Sequence, residues 1–233
     1  MDQYYKIADL TIKMDTFGRT EQQAKPYLIK KPEKVDFEVI SNWQERQKER
    51  PWVSDEMVEY LCSGSNFYKH LLEYNGFMLH ASAVVVDGYA YLFSADSGTG
   101  KSTHTAIWLK EFGERAYILN DDKPAVRLVN GVWYAYGTPW SGKHDISTNM
   151  AAPIAGVAML YRGRTNEIHR WKDAMCIAAL MKQVNRPKEK IYREKLLGLL
   201  DQFLQTIPVW KFACNMEKEA MKIAFDAMKP DDK

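Results

Sequence analysis

The chain has 233 residues, long enough for one large domain or two small ones, and with 46% hydrophobic and 27% charged residues it has the composition of a folded globular protein, which excludes disorder. A formal net charge of +2, with basic and acidic residues interleaved, leaves no global field that would favour nucleic acid or a membrane as partner. The three cysteines, Cys62, Cys176 and Cys214, lie far apart without a Cys-x-x-Cys pair, so packed, reduced thiols are expected in place of a zinc or disulfide framework.

The start, "MDQYYKIADL", is polar and acidic, unlike a signal peptide, and no apolar run approaches the roughly 20 residues of a membrane span, so a cytoplasmic location is expected. Residues 4–14 and 27–41 read as strands broken by Pro26, Pro32 and Gly18, and the charged run 42–50 reads as a solvated loop or exposed helical turn. Ser54 with Asp55 and Glu56 has the chemistry of a helix start. Phe67, Leu71 and Tyr74 recur at helical spacing before Asn75-Gly76, so two short helices are expected between them.

"FMLHASAVVV" and "YAYLFSA" flank Asp87-Gly88, a strong hairpin signal, and the second strand runs straight into "SADSGTGKST", residues 94–103. Thr105, Trp108, Leu109 and Phe112 then mark one face of a helix that Gly113 ends. "AYILNDD" reads as a strand ending in acids, and "PAVRLV" and "VWYAYG" form a hairpin about Asn130-Gly131. "IAGVAMLYRG" reads as a buried strand with "TNEIHRW" as its hairpin partner. Two helices follow, around Ala174–Met181 and Leu196–Phe203, then a late strand "PVWKFAC" and a last helix capped by Asn215. Strands alternating with helices make the fold class α/β with a mixed sheet. One domain over residues 1–233 is expected, with a β-rich part at 1–53, a helical connection at 54–76 and a core at 77–233.

A glycine loop between strand and helix can wrap backbone N–H groups around a phosphate chain, because residues without Cβ permit the curvature. Ser97, Gly98, Thr99, Gly100, Lys101, Ser102 and Thr103 supply such a loop: Lys101 to reach the β and γ phosphates, and the Ser102 hydroxyl to ligate Mg²⁺. The pattern G-x-x-x-x-G-K-[ST] is broken only at its first position, by Ala95, at the strand-to-loop junction. A helix of about 12 residues and a returning strand of five or six cover the same roughly 18 Å. If the two strands run parallel, Asp121 and Asp122 stand at the same edge as the loop. Asp121 is assigned near the metal, through water, and Asp122 as the base toward an acceptor hydroxyl.

His80 lies on a strand one hairpin before the loop, and by pattern alone it is either a site residue or a packed histidine. In "GTPWSGKHD", residues 137–145, Lys143 either stabilises charge on the transferring group or is an exposed lysine on a turn, and Trp140 is a candidate to line the acceptor groove. Asn149 and Arg162 are weaker candidates for nucleotide contact. His104, His144 and His169 show no metal-ligand spacing and are assigned to structure.

His80, the hairpin, "DSGTGKS" and "NDD" together resemble the catalytic domain of bacterial HPr kinase/phosphorylase over residues 79–122, and beyond that only in the order of elements. The resemblance implies a phosphoenolpyruvate carboxykinase-like P-loop kinase core, here with a β-rich N-terminal extension. It implies ATP and Mg²⁺, with His80 polarising the site, Lys101 on phosphate, Ser102 on magnesium and Asp122 as base toward a serine hydroxyl. The family's separate amino-terminal domain and its glutamate-bearing segment have no visible counterpart. Neither the reverse phosphorolysis nor HPr as acceptor is therefore expected. The expected activity is a kinase acting on Ser or Thr of a protein or peptide. A small-molecule kinase of the same fold and a non-catalytic ATP-binding regulator are the alternatives, and homo-oligomerisation is left open.

Overall fold

The computed structural model describes residues 3–172 and 174–230; residues 1, 2, 173 and 231–233 of the expected domain lie outside them. The chain opens with β1 (Tyr4–Ile7) and β2 (Leu10–Met14), paired antiparallel about Ala8 and Asp9, both at positive φ. The expected single run over 4–14 is thus a hairpin, whose turn lacks the glycine that announces one in sequence. β3 (Leu28–Ile29) and β4 (Phe37–Val39) complete a small sheet in the order β3-β1-β2-β4, with β2 and β4 parallel. The expected strand over 27–41 is therefore two short edge pieces.

Helix α1 (Gly18–Ala24) lies between β2 and β3, and α2 (Trp43–Glu49) is the exposed helix in the charged run. α3 (Asp55–Leu71) is one continuous helix of 17 residues, where two short ones were expected. It passes through Gly64 without a break, and a side chain there would meet the Trp140 indole at 2.8 Å, so the glycine makes room for that ring. Trp140 itself is fully buried, against Phe67 and Tyr68, and its Nε1 donates to Ser63 Oγ at 3.3 Å. It belongs to the core beneath the small sheet and not to an acceptor groove.

The larger sheet begins with β5 (Gly76–Met78), β6 (Ala81–Val86) and β7 (Tyr89–Ser94), followed by α4 (Lys101–Phe112) and β8 (Ala116–Asn120). β9 (Ala125–Val129) and β10 (Val132–Tyr136) form the expected hairpin, with Asn130 and Gly131 both at positive φ. β11 (Ala151–Arg162) is central, and the order along the sheet is β5-β9-β10-β11-β7-β6-β8. β12 (Glu167–Arg170), α5 (Ala174–Lys182), α6 (Lys190–Thr206), β13 (Val209–Cys214) and α7 (Lys218–Met228) complete the chain.

β12 pairs antiparallel with β13 and not with β11, as the sequence had suggested. Both edges of β11 are taken over Val157–Met159, by β7 and by β13, each parallel to it. Asn215 does not cap α7; Glu217 occupies the N-cap position without a side-chain capping bond, and Asn215 Oδ1 accepts from the Glu217 amide at 3.1 Å.

The result is a mixed α/β architecture. Alternation along β6 and β7 sends Ala81, Ala83, Val85, Ala90 and Leu92 to one face, with α5 and α6, and Val84, Val86, Tyr91 and Phe93 to the other, with α4 and α7. Among the described residues no helix is long and apolar enough to cross a membrane.

His104 fastens α4 to the sheet. It is fully buried, edge-on to Phe93 and Phe212, and its Nε2 accepts from Trp108 Nε1 at 3.1 Å. Burial penalises the imidazolium and lowers its pKa from 6.5 to about 4. Because the folded pKa is depressed, this stabilising contribution is complete above pH 6.5 and is lost as pH falls toward 4, by up to about 3 kcal/mol. His104→Gln, which keeps an acceptor for Trp108, is expected to flatten that decline. Urea unfolding at pH 7 and pH 4.5 measures it, and an unchanged decline in the variant would refute the assignment.

Candidate functional site

β7 and β8 both pair antiparallel with β6, which lies between them, so they run in the same direction and end at the same edge. Their last residues, Ser94 and Asn120, release the glycine loop and the Asp pair respectively. In the loop, Gly98 and Gly100 have φ of 77° and 117°, and Gly100 directly precedes α4. Among the described residues the amides of Gly100, Lys101, Ser102 and Thr103 have no hydrogen-bond acceptor, so they remain available to an anion. A side chain built at Gly98 would meet nothing within 4 Å.

Lys101 is buried and its Nζ donates to the Ala95 carbonyl at 2.8 Å, folding back over the loop. Burial lowers its pKa, against the opposing pull of Asp122, Asp121 and Asp96. Ala95 is itself part of the core, so the position that departs from the glycine pattern packs inward.

The acids are set by Asn120. Its Oδ1 accepts from the amides of both Asp122 and Lys123, at 2.9 and 2.7 Å, and its Nδ2 donates to Thr138. This side-chain-to-backbone turn ends the strand, and both acids then line one cleft, which strict strand alternation would not allow. Asp121 Oδ1 accepts from Ser82 Oγ at 2.6 Å, and that hydroxyl lies 3.0 Å from Thr105 Oγ1. Asp122 Oδ1 lies 3.2 Å from His80 Nε2, and its Oδ2 pairs with Lys123. Burial alone would raise the Asp122 pKa, but the His80 hydrogen bond and the Lys123 charge outweigh it and hold the carboxyl at about 2.

The cleft measures about 570 Å³ and opens between the loop and the acids. Ser97, Gly98, Gly100, Lys101, Ser102 and Thr103 line one side; His80, Asp121, Asp122 and Lys143 line the other. Thr99 is not in it: that residue faces the opposite side of the loop, beside Arg162. Arg162 Nη2 donates to the Gly98 carbonyl at 2.6 Å, so this residue touches the loop itself. Asn149 is exposed and donates to the Pro26 carbonyl, away from the cleft. His144, assigned to structure from sequence, lines the cleft, whereas His169 lies exposed beside Glu167. Ser102 and Asp121, expected from sequence to hold a metal, both line the cleft. Among the described residues no group of three or more His, Cys, Asp or Glu is gathered to bind one unaided.

Several neighbours of the site carried no sequence signal. Arg19 from α1 and Tyr60 from α3 form the outer wall, with the Arg19 guanidinium 4.2 Å from the Tyr60 ring centre. Arg19 Nη2 and Gln23 Nε2 both donate to the Gly142 carbonyl, and the Gly142 amide donates to Tyr60 Oη at 3.1 Å. The 137–145 loop is thereby pinned between the amino-terminal helices and the acids. No protein-family model matches the sequence, and no curated protein matches it. A search of solved structures returns the Hpr(Ser) kinase/phosphatase from Coxiella burnetii at 12% identity and a TM-score of 0.37, covering 63% of this chain and 91% of that one.

Gly142 approaches Asp122 so closely that a Cβ there would sit 2.8 Å from the Asp122 Cβ. Gly98 has a similar φ, 77° against 80°, but open space around it. Gly98→Ala should cost the roughly 1–2 kcal/mol of a left-handed alanine, and Gly142→Ala measurably more. Equal costs in denaturant unfolding would show that the contact with Asp122 is not felt.

Proposed function

We propose that the protein is an ATP- and Mg²⁺-dependent kinase that transfers the γ-phosphoryl group to a Ser or Thr hydroxyl of a protein or peptide. The observation that carries this reading is that Asp122, held as a carboxylate by His80 and Lys123, faces the glycine loop and Lys101 across one cleft. A pure nucleotide-binding module needs the loop but not a paired carboxylate opposite it. The resemblance of His80, the loop and the Asp pair to HPr kinase/phosphorylase supports the same reading from sequence.

The chemistry asks little covalent work of the protein, so positioning and charge neutralisation dominate. The free amides at the start of α4 cradle the phosphates, and Lys101 exchanges the Ala95 carbonyl for a phosphate oxygen. Ser102 and the unshared oxygen of Asp121 would hold magnesium, whose charge offsets that of the phosphates when bound. Asp122 accepts a hydrogen bond from the acceptor hydroxyl and orients it. With a pKa near 2 it is a weak base, so the proton moves to it only as the new O–P bond forms and the bond from phosphorus to the bridging oxygen breaks, leaving ADP. Lys143, exposed on the pinned loop at the mouth of the cleft, is placed to meet charge on the transferring group.

Asp122→Asn is expected to lower transfer from labelled ATP to a Ser/Thr peptide library by about 10²–10⁴-fold while leaving ATP affinity nearly intact. Transfer at the wild-type rate would sink the base assignment. Lys101→Ala should weaken magnesium-ATP binding in calorimetry, and unaltered binding would count against the whole nucleotide reading.

A further inference from the structure

Gln183, buried just beyond the carboxyl end of α5, touches both halves of the site. Its Nε2 donates to Asp96 Oδ1 at 3.0 Å, and its Oε1 lies 3.0 Å from His80 Nδ1. The main chain holds it there as well: its carbonyl accepts from the His80 amide at 2.7 Å, and Val184 forms an antiparallel bridge with Leu79.

The orientation of the amide follows from its partners. A carboxylate only accepts, so Asp96 requires the NH₂ end of Gln183 and leaves the carbonyl for His80. A carbonyl also only accepts, so His80 must carry a proton on Nδ1. The Asp122 carboxylate oxygen 3.2 Å from Nε2 accepts likewise, so both ring nitrogens donate and His80 bridges Gln183 to Asp122 as the imidazolium. Asp96 opens the glycine loop, and the Thr99 amide donates to its carbonyl at 3.2 Å, so any rearrangement of the loop around a phosphate is felt at Gln183.

We propose that Gln183 is a positioning residue that locks a proton on His80 Nδ1, fixing the ring so that Nε2–H donates to Asp122, and couples the filling of the phosphate loop, through Asp96, to the His80–Asp122 pair. The coupling rests on the phosphoryl-transfer reading; the proton lock does not. Gln183 touches no reacting atom in this scheme, and its effect passes through His80.

Long-range ¹H–¹⁵N spectra of the full-length ¹⁵N-labelled protein test this, at one fixed pH, with the His80 signals assigned by their loss in His80→Asn. The nucleotide probe is a non-hydrolysable ATP analogue with magnesium. In the wild type, His80 should be protonated on Nδ1, and its ring signals should shift when the analogue is added. Gln183→Leu should lower the ratio of His80 rings protonated on Nδ1 to those bare at Nδ1 about fivefold and abolish the response. Gln183→Glu keeps an acceptor for Nδ1 but opposes Asp96 with a second carboxylate, so it should retain the ring proton and lose the response. Wild-type His80 signals and response in folded Gln183→Leu, or an undiminished response in Gln183→Glu, would overturn the proposal. Failure of the wild type to bind the analogue would overturn the kinase reading and the coupling with it, while the ring-proton comparison would still decide the lock.

Discussion

Everything at the site depends on β6 lying antiparallel between β7 and β8. All six of its residues are buried, so it can be neither an edge nor a solvent-facing strand, and its two neighbours must run alike on either side of it. That arrangement brings two chain segments more than twenty positions apart to one edge of the sheet. The loop leaves β7 at that edge and the acids leave β8 there. A helix and a strand of matched rise connect them, and α4 is anchored from below by Trp108 and by a histidine that the core keeps neutral.

A second constraint acts from outside the sheet. The amino-terminal strands and helices have their own core, but α1 and α3 also reach over to the cleft through Arg19, Gln23 and Tyr60. They clamp Gly142 against Asp122, and Lys143 is presented from the clamped loop. Burial, aided by the charges of Asp122 and Asp145, pushes the Tyr60 pKa up to about 12 against the opposing pull of the Gly142 amide and Arg19, so that ring is neutral in the wall and not a charge. The opening part of the chain therefore helps to shape the wall of the cleft.

The elements that were legible in the sequence are those whose signals are local. Asp87-Gly88 and Asn130-Gly131 announced their hairpins because the backbone there needs positive φ, and the apolar spacing of α4, α6 and α7 announced which face is buried. Three departures share one cause, a partner distant in sequence. α3 runs on through Gly64, whose missing side chain makes room for Trp140, 76 positions away. Trp140 looked like a groove residue because nothing near it in sequence shows the aromatic cluster that swallows it. β12 looked like a partner of β11 until β13 occupied that edge.

Sequence by itself determined the chemical inventory of the site: a glycine loop with its lysine and hydroxyl, two adjacent carboxylates and a histidine, each recognisable because the residue types and their short spacing serve one kind of ligand. Tertiary structure alone decided how these groups are paired. Asn120 ends β8 so that both acids turn into the cleft, Lys123 and His80 divide the two oxygens of Asp122, and Gln183 arrives from the segment just after α5 to orient His80. Those pairings are set by which elements share an edge of the sheet. The order of residues along the chain does not encode that edge, because hydrogen bonds and burial act across space and not along sequence.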